Sequence, residues 1–204
     1  MYVWWKRECL NADQAKLFAA LHAAHHRSAF RANVSSVVVA QSFEASGDLS
    51  KAIAAGILTL GRKHAPLEHT YEFLSFEEPW RQVPGILKRG AKVPGWGGTF
   101  QKDQPDPIWQ EVDDLLADTQ PATYIKLSSV TTTLIEHSKT LYPNPSAYTA
   151  ASALVFGLPK ELIWYLFIGG RLSAWSRRYG CGWECVARPL ATNDLRLGRR
   201  PGPP

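Results

Sequence analysis

The sequence predicts an all-α chain, on three observations. Apolar residues recur at intervals of three and four, as in Leu17, Phe18 and Leu21 or Leu49, Ile53, Ile57 and Leu60. Gly47, Gly61, Gly157, Pro66, Pro107 and Pro159 fall between such runs, where helices stop and start. The period-two alternation of a half-buried strand is almost absent, and no internal repeat is found.

Taken in order, the first helix spans about Ala12 to Phe30, with His22, His25 and His26 in its last turns. Asn33 to Ser46 forms a second helix carrying Val34, Val37 and Val38, ended by Gly47. Asp48 then N-caps a third, whose apolar residues Leu49, Ile53, Ile57 and Leu60 form one continuous stripe before Gly61 stops it. Pro66 opens a helix from Leu67 to Phe76, and a looser stretch with Pro84, Gly85, Gly90, Pro94, Gly95, Gly97 and Gly98 follows. Asp106 caps a helix with Pro107 at its first position and a stripe of Ile108, Val112, Leu115 and Leu116. Another helix runs from Thr123 to Leu141, with Leu127, Val130 and Leu134 on one side. Tyr142 to Tyr148 reads as a rigid turn into a helix from Thr149 to Phe156. Gly157 closes that helix, and Pro159 starts the last, to about Tyr179. Glu184 to Pro189 is extended at best, and Arg196 to Pro204 reads as a disordered tail.

Length and charge bound the function. The chain has 204 residues, 45% hydrophobic and 20% charged, ordinary for a globular protein with a substantial core. Its eight tryptophans, Trp164, Trp175 and Trp183 among them, read mostly as packing anchors. The net charge of +5, from 23 basic and 18 acidic residues, is scattered in small groups with no nucleic-acid module around them. Small phosphorylated or carboxylated ligands fit that pattern, and nucleic acid is not the expected partner. Cys9, Cys181 and Cys185 are an odd set without a CxxC, as expected of reduced thiols in the cytoplasm. The N-terminal residues lack a signal peptide's apolar region, and the longest apolar run, Leu162 to Gly170, is too short to span a membrane.

Three short segments carry chemistry. His64 lies in an elbow between two helices, flanked by Arg62 and Lys63. A near-neutral base beside fixed cations and a helix N-terminus suits acid–base work on an anionic substrate, or a solvated loop histidine. HAAHH, with His22 and His26 four apart, has the spacing of a zinc-protease helix, but Ala23 replaces the essential glutamate and no third ligand follows. No metal site is expected; His22 and His25 read as polar groups at an anion pocket or as helix-surface residues. KVPGWGG, Lys92 to Gly98, could turn backbone N–H groups toward phosphates or a flat ring, or be an ordinary surface turn. It matches neither the P-loop nor the dinucleotide fingerprint.

These segments together resemble the citrate synthase family. YPNPSAYTAASALVFGLPKELIWYLFIGGRLSAW is similar to that family's Tyr-Pro-Asn turn, buried helix, Gly-(Ile/Leu)-Pro, second buried helix, then Arg and Trp. HAAHH is similar to its "HADHE" helix, and AAGILTLGRKHAPLE to its catalytic-histidine elbow. KVPGWGGTFQKDQPDP resembles its "(I/V)PG(F/Y)GH…DP" loop, and VARP, Val186 to Pro189, its late "RP". The matches occur in the family's order over roughly residues 20 to 190, and they cover about the second half of a usual citrate synthase.

The resemblance implies an all-α, citrate synthase-like fold, with a small domain inserted in a reduced large helical domain. The large domain's first helices would occupy residues 1–59, the small domain 60–146 and the remaining large-domain helices 147–190, with a tail at 191–204. It implies a homodimer with its site in the cleft, and an acyl-CoA thioester that is enolised and attacks oxaloacetate. A coenzyme A thioester would be the substrate, with no tightly bound cofactor. His64 would donate to the enol oxygen; His22, His25, Arg171 and Arg188 would hold the dicarboxylate, Arg188 serving the partner subunit; Val93, Pro94, Gly95, Trp96 and Gly97 would pass the CoA adenine along their backbone. Three departures mark the chain. Gly98 stands where the family's ketone-contacting histidine is expected, Ser146 where the carboxylate base is expected, and Ile108 where an arginine is expected.

Two expectations follow. One is a divergent acyl-CoA/oxaloacetate condensing enzyme, an acyltransferase of the tricarboxylic acid cycle type, with impaired activity. The other is a non-catalytic relative that binds CoA, a dicarboxylate or a full-length citrate synthase subunit. Such a shortened, altered copy would suit a phage or other mobile element, acting in the host cytoplasm.

Overall fold

The computed structural model describes residues 9–31, 33–61, 65–98 and 104–180. His64 with its neighbours Arg62 and Lys63, Arg188 in VARP, Trp183, Cys181, Cys185 and the tail lie outside the described residues.

Among the described residues, side-chain caps set four of the nine helix starts. Helix α1 (Ala12–Ser28) opens with a capping box: the Gln14 N–H donates to the Asn11 side chain at 2.9 Å, and the Asn11 N–H donates to the Gln14 side chain at 3.1 Å. Helix α2 (Val34–Ser46) is capped by Asn33 and closed by Gly47 at φ +65°. Helix α3 (Leu49–Leu58) starts at Asp48, as its sequence predicts, but ends before Gly61, with Thr59 as its C-cap. Three residues of its predicted stripe, Ile53, Ile57 and Leu60, pack against core residues, but they are not the most deeply buried ones. Ala52 and Gly56 are buried, whereas Leu49, Ile53 and Ile57 are only half-buried and Leu58 is 85% exposed. Close approach explains the difference: a Cβ on Gly56 would lie 2.3 Å from Val39 Cγ2 and 3.2 Å from the Ser35 carbonyl. The smallest residues face α2, and the larger ones flank the contact.

Helix α4 (Leu67–Ser75) follows Pro66. The stretch after it is not all loose, because a 3₁₀ turn (Pro79–Gln82) leads into α5 (Val83–Lys88). Pro84 and Gly85 sit inside the first turn of α5, where a proline's missing N–H costs nothing. A second 3₁₀ turn (Pro107–Trp109), whose Ile108 N–H donates to Asp106, precedes α6 (Gln110–Thr119). Helix α7 (Pro121–Glu136) begins two residues earlier than predicted, with proline in its first turn, and ends five earlier. Ser138, at φ +58°, breaks it there, and the Lys139 N–H turns back to the Leu134 carbonyl at 2.9 Å.

The largest correction concerns α8 (Pro145–Val155), which begins inside the predicted turn. Asn144 is its N-cap, accepting from the Ser146 and Ala147 N–H groups at 2.8 and 3.4 Å. Pro145 takes the first helical position, so Ser146 and Thr149 lie within the helix. Gly157, at φ +60°, closes α8; a 3₁₀ turn (Lys160–Leu162) then leads into α9 (Ile163–Gly180).

All eight residues from Ser146 to Ala153 are buried, which makes α8 the axis of the molecule. Helix α4 packs on it, while α1 packs on α9. The main core joins Leu17, Leu21, Leu67, Trp109, Leu127, Leu134 and Phe156 around α8. A smaller core, Ala29, Val39, Ala52, Ala174 and Trp175, fastens the α2–α3 hairpin to the end of α9. Among the described residues there is no strand beyond a single bridge between Trp96 and Pro143, and no helix is long and apolar enough to cross a membrane.

Candidate functional site

The histidines of α1 face α9 across a contact made close by two glycines. A Cβ on Gly169 would lie 2.8 Å from the His22 ring, and one on Gly170 would lie 2.6 Å from both the His22 carbonyl and His25 Cβ. His22 packs tilted against Phe18 at 4.2 Å between ring centroids and is half-buried, which lowers its pKa. His26 pairs with the Ser173 hydroxyl at 2.9 Å. His25 is fully buried, with Trp109 and Phe167 edge-on to it at 4.9 and 4.8 Å. Burial first, then the Arg171 and His22 charges, hold the His25 imidazole well below its usual pKa, so it is neutral. The three rings thus diverge, and among the described residues no group of three metal-ligating side chains is assembled.

Arg171, on α9, is 4% exposed. Its Nη1 donates to Asn33 Oδ1 at 3.1 Å and to the Ser35 hydroxyl at 3.0 Å, and its guanidinium lies 4.4 Å over the Phe167 ring. Its hydrogen-bond partners are all neutral, and its Nε is buried with no partner. Burial pushes its pKa down to about 10, which leaves the guanidinium charged at neutral pH. A buried cation without a carboxylate is costly unless an anion completes it. Phe167 touches both His25 and Arg171, so the structure brings these two predicted residues together, with His22 one turn along α1. The cap residue Asn33, Ser35 and Ser36 were not singled out from sequence. They matter because Arg171 and Trp175, one turn apart, both bond the start of α2; the Trp175 indole N–H reaches Ser36 Oγ at 3.0 Å.

The loop around residues 93–98 is laced to the N-terminus of α8. The Gly97 N–H donates to the Tyr142 carbonyl and the Asn144 N–H to the Gly95 carbonyl, both at 2.9 Å, while Asn144 Nδ2 reaches the Gly97 carbonyl at 2.8 Å. Gly95, at φ +88°, must be glycine: a Cβ there would meet Thr70 Cγ2 at 2.5 Å and Ala147 Cβ at 3.1 Å. Trp96 is buried against Phe73, and its indole N–H bonds Thr131 at 3.0 Å. Val93 and Gly95 are buried and Pro94 is half-buried. The N–H groups of Trp96 and Gly97 are used within the protein, which leaves exposed Gly98 as the loop's accessible end. Through Asn144, the same loop sets the place of Ser146, a neutral residue 4% exposed in the first turn of α8.

At the elbow, Gly61, Ala65, Pro66, Leu67, Glu68, His69 and Trp164 line a surface pocket of about 250 Å³. The Trp164 indole N–H donates to the Glu68 carboxylate there at 3.2 Å. His64, between Gly61 and Ala65 in sequence, lies outside the described residues. A further feature that sequence reading passed over is Asp113, on α6. It accepts from the Tyr148 hydroxyl at 3.0 Å, and burial raises its pKa despite that bond. Tyr148 stacks parallel on Trp109, and burial and then Asp113 push the phenol well above its ordinary pKa.

No protein-family model matches the chain, and no curated protein matches it in sequence. Solved structures do. The chain superposes on citryl-CoA lyase from Hydrogenobacter thermophilus with a TM-score of 0.68 at 19% identity, over 100% of this chain and 82% of the lyase. Against citrate synthase from Thermotoga maritima MSB8 the TM-score is 0.56 at 20% identity, over 99% of this chain but only 50% of the synthase. With its helices, its caps and its buried α8, the chain has an all-α, citrate synthase-like fold.

Proposed function

We propose that the protein binds a dicarboxylate-bearing substrate at Arg171 and acts on the carbon–carbon bond of a CoA thioester, in the cleaving or the condensing direction. The observation that carries this reading is the buried Arg171, charged and without a carboxylate, beside the neutral His25. A guanidinium held by neutral partners keeps its charge for a ligand's carboxylate. Arg188 would add a second cation, from the partner subunit of a homodimer, and His22 would complete the polar wall.

The chemistry assigns the other residues. In the cleaving direction the substrate's tertiary hydroxyl gives its proton to water, and the carbon–carbon bond breaks to leave an oxo acid. The bond's electron pair passes into the enolate of the thioester, and the enolate carbon takes a proton back from water to give acetyl-CoA. His64 would donate to that enol oxygen, and Lys92 to Gly98 would receive the CoA adenine. The fit over 82% of a citryl-CoA lyase favours the cleaving direction over the reading as half of a synthase. The domain limits proposed are 1–59, 60–146 and 147–190, with a tail at 191–204, which place the cleft at the elbow and at the start of α8.

A specific observation supports a second reading, a binding or regulatory protein that handles CoA, a dicarboxylate or a full-length synthase subunit. Ser146 and Gly98 present neither a base nor an imidazole, and loss of a positioned base typically costs ~10²–10⁴-fold in rate.

One experiment separates the two. Acetyl-CoA formation from citryl-CoA, and thiol release from acetyl-CoA with oxaloacetate, are measured for the wild type and for His64→Ala. Turnover in either direction, lost in the variant, is the expected result. No turnover with retained binding of CoA or oxaloacetate selects the binding protein. Absence of both turnover and binding overturns the two readings together.

A further inference from the structure

Thr149 settles which nitrogen of His25 carries the proton. Its hydroxyl lies 2.6 Å from the Pro145 carbonyl one turn back, a contact that only a donated hydrogen makes favourable. A hydroxyl has one hydrogen, so Thr149 Oγ1 must accept from His25 Nε2, 2.9 Å away. His25 is therefore the Nε2–H tautomer, and its Nδ1 bears a lone pair. That Nδ1 is buried with no donor within reach, in a side chain that is 0% exposed. Phe167 touches both His25 and Arg171, whose Nε is a buried donor with no acceptor. The two vacancies are of opposite kind. Arg171 offers a charged donor to a carboxylate, and His25 offers an acceptor to an O–H.

We infer that Thr149 fixes His25 as a hydrogen-bond acceptor and thereby makes the Arg171 site select a hydroxy acid over the corresponding oxo acid. This inference rests on the reading of Arg171 as the carboxylate site. An oxo acid would set its ketone lone pairs against the Nδ1 lone pair, whereas a hydroxyl would donate to it. The distinction is that of a site built to bond a substrate hydroxyl, which rejects an analogue lacking it. His25 would be a specificity-determining residue and Thr149 a positioning residue that acts through it.

The test has two arms on the full chain. In the first, ¹⁵N-labelled histidine spectra report the tautomer of His25 in the wild type, in Thr149→Ser and in Thr149→Val. The expected result is an Nε2–H imidazole in the wild type and Thr149→Ser, and loss of that fixed state in Thr149→Val. An Nδ1–H imidazole in the wild type overturns the inference, whether or not Thr149→Val folds. In the second arm, calorimetry compares both enantiomers of malate with oxaloacetate. One enantiomer is expected to bind at least about tenfold tighter than oxaloacetate, a preference kept in Thr149→Ser and reduced to about twofold in Thr149→Val. Equal binding of malate and oxaloacetate to the wild type overturns the inference while leaving Arg171 as a carboxylate site. Undiminished binding of both acids to Arg171→Met overturns the Arg171 reading, and the inference with it.

Discussion

At the scale of single residues, burial decides what each charged group can do. Arg171 could be picked out from sequence only through the family resemblance, and His25 through that resemblance and as one of three close histidines. The resemblance set both on one dicarboxylate, but the physical reason they meet was not legible, because it depends on Gly169 and Gly170 letting α9 settle against α1. Thr149 carried no signal at all, since its role arises only when Pro145 proves helical. Burial of His25 also has a thermodynamic consequence. Its folded-state pKa is well below the unfolded value of about 6.5, so below that pH the unfolded chain binds a proton that the folded chain refuses. Stability should therefore fall as the pH drops from about 6.5 toward the lowered folded value, by up to about 1.4 kcal/mol per unit for this one group. His22 and His26 are lowered by burial too and act with the same sign. Urea midpoints at about pH 7.5 and about pH 5.5 should show this loss. In His25→Gln, whose amide can still bond Thr149, the loss should shrink by about 1 kcal/mol. An unchanged loss would mean that His25 titrates normally.

At the scale of elements, start signals were legible and stop signals less so. Asp48 and Asp106 cap the elements their positions predict, because a side-chain oxygen meeting an N–H is a local event. The end of α7 and the start of α8 were misplaced for two reasons: Ser138 adopts a left-handed conformation usually left to glycine, and a proline can begin a helix as readily as prolong a turn. The predicted apolar stripe at α3 packs beside the cores through Ile53, Ile57 and Leu60, while close helix contact selects the smallest residues, Ala52 and Gly56, for the innermost face. The same contact logic gives a graded prediction. Gly170→Ala must displace the His22 carbonyl, a backbone atom, so it should destabilise by about 1–3 kcal/mol and weaken ligand binding at Arg171. Gly98→Ala meets nothing within 4 Å and should change stability little. Denaturant midpoints of the two variants check this, and equal midpoints would show that α1 and α9 part more readily than their geometry indicates.

At the scale of the whole molecule, the fold sets where lost chemistry could be restored. The loop of residues 93–98 and the first turn of α8 are joined through Asn144, so positions 98 and 146 are placed by one shared scaffold. Gly98 is exposed with open space where a side chain would go, which leaves room for an imidazole. Ser146 lies at a helix N-terminus, where a negative charge is favoured, although burial would raise the pKa of a carboxylate placed there. Under the proposed function, the double variant Gly98→His/Ser146→Asp should gain the missing acceptor for the methyl proton and a donor for the ketone. Exchange of acetyl-CoA methyl protons with deuterated water, in the presence of a bound dicarboxylate, should then rise by about 10²–10⁴-fold over wild type. Exchange isolates proton removal from the later bond-making step, so it reports the restored base even if condensation stays slow. A variant that folds and binds CoA as tightly as wild type yet gains no exchange would place the defect elsewhere in the cleft. It would then favour a protein that uses this fold to hold its ligands and leaves their bonds intact.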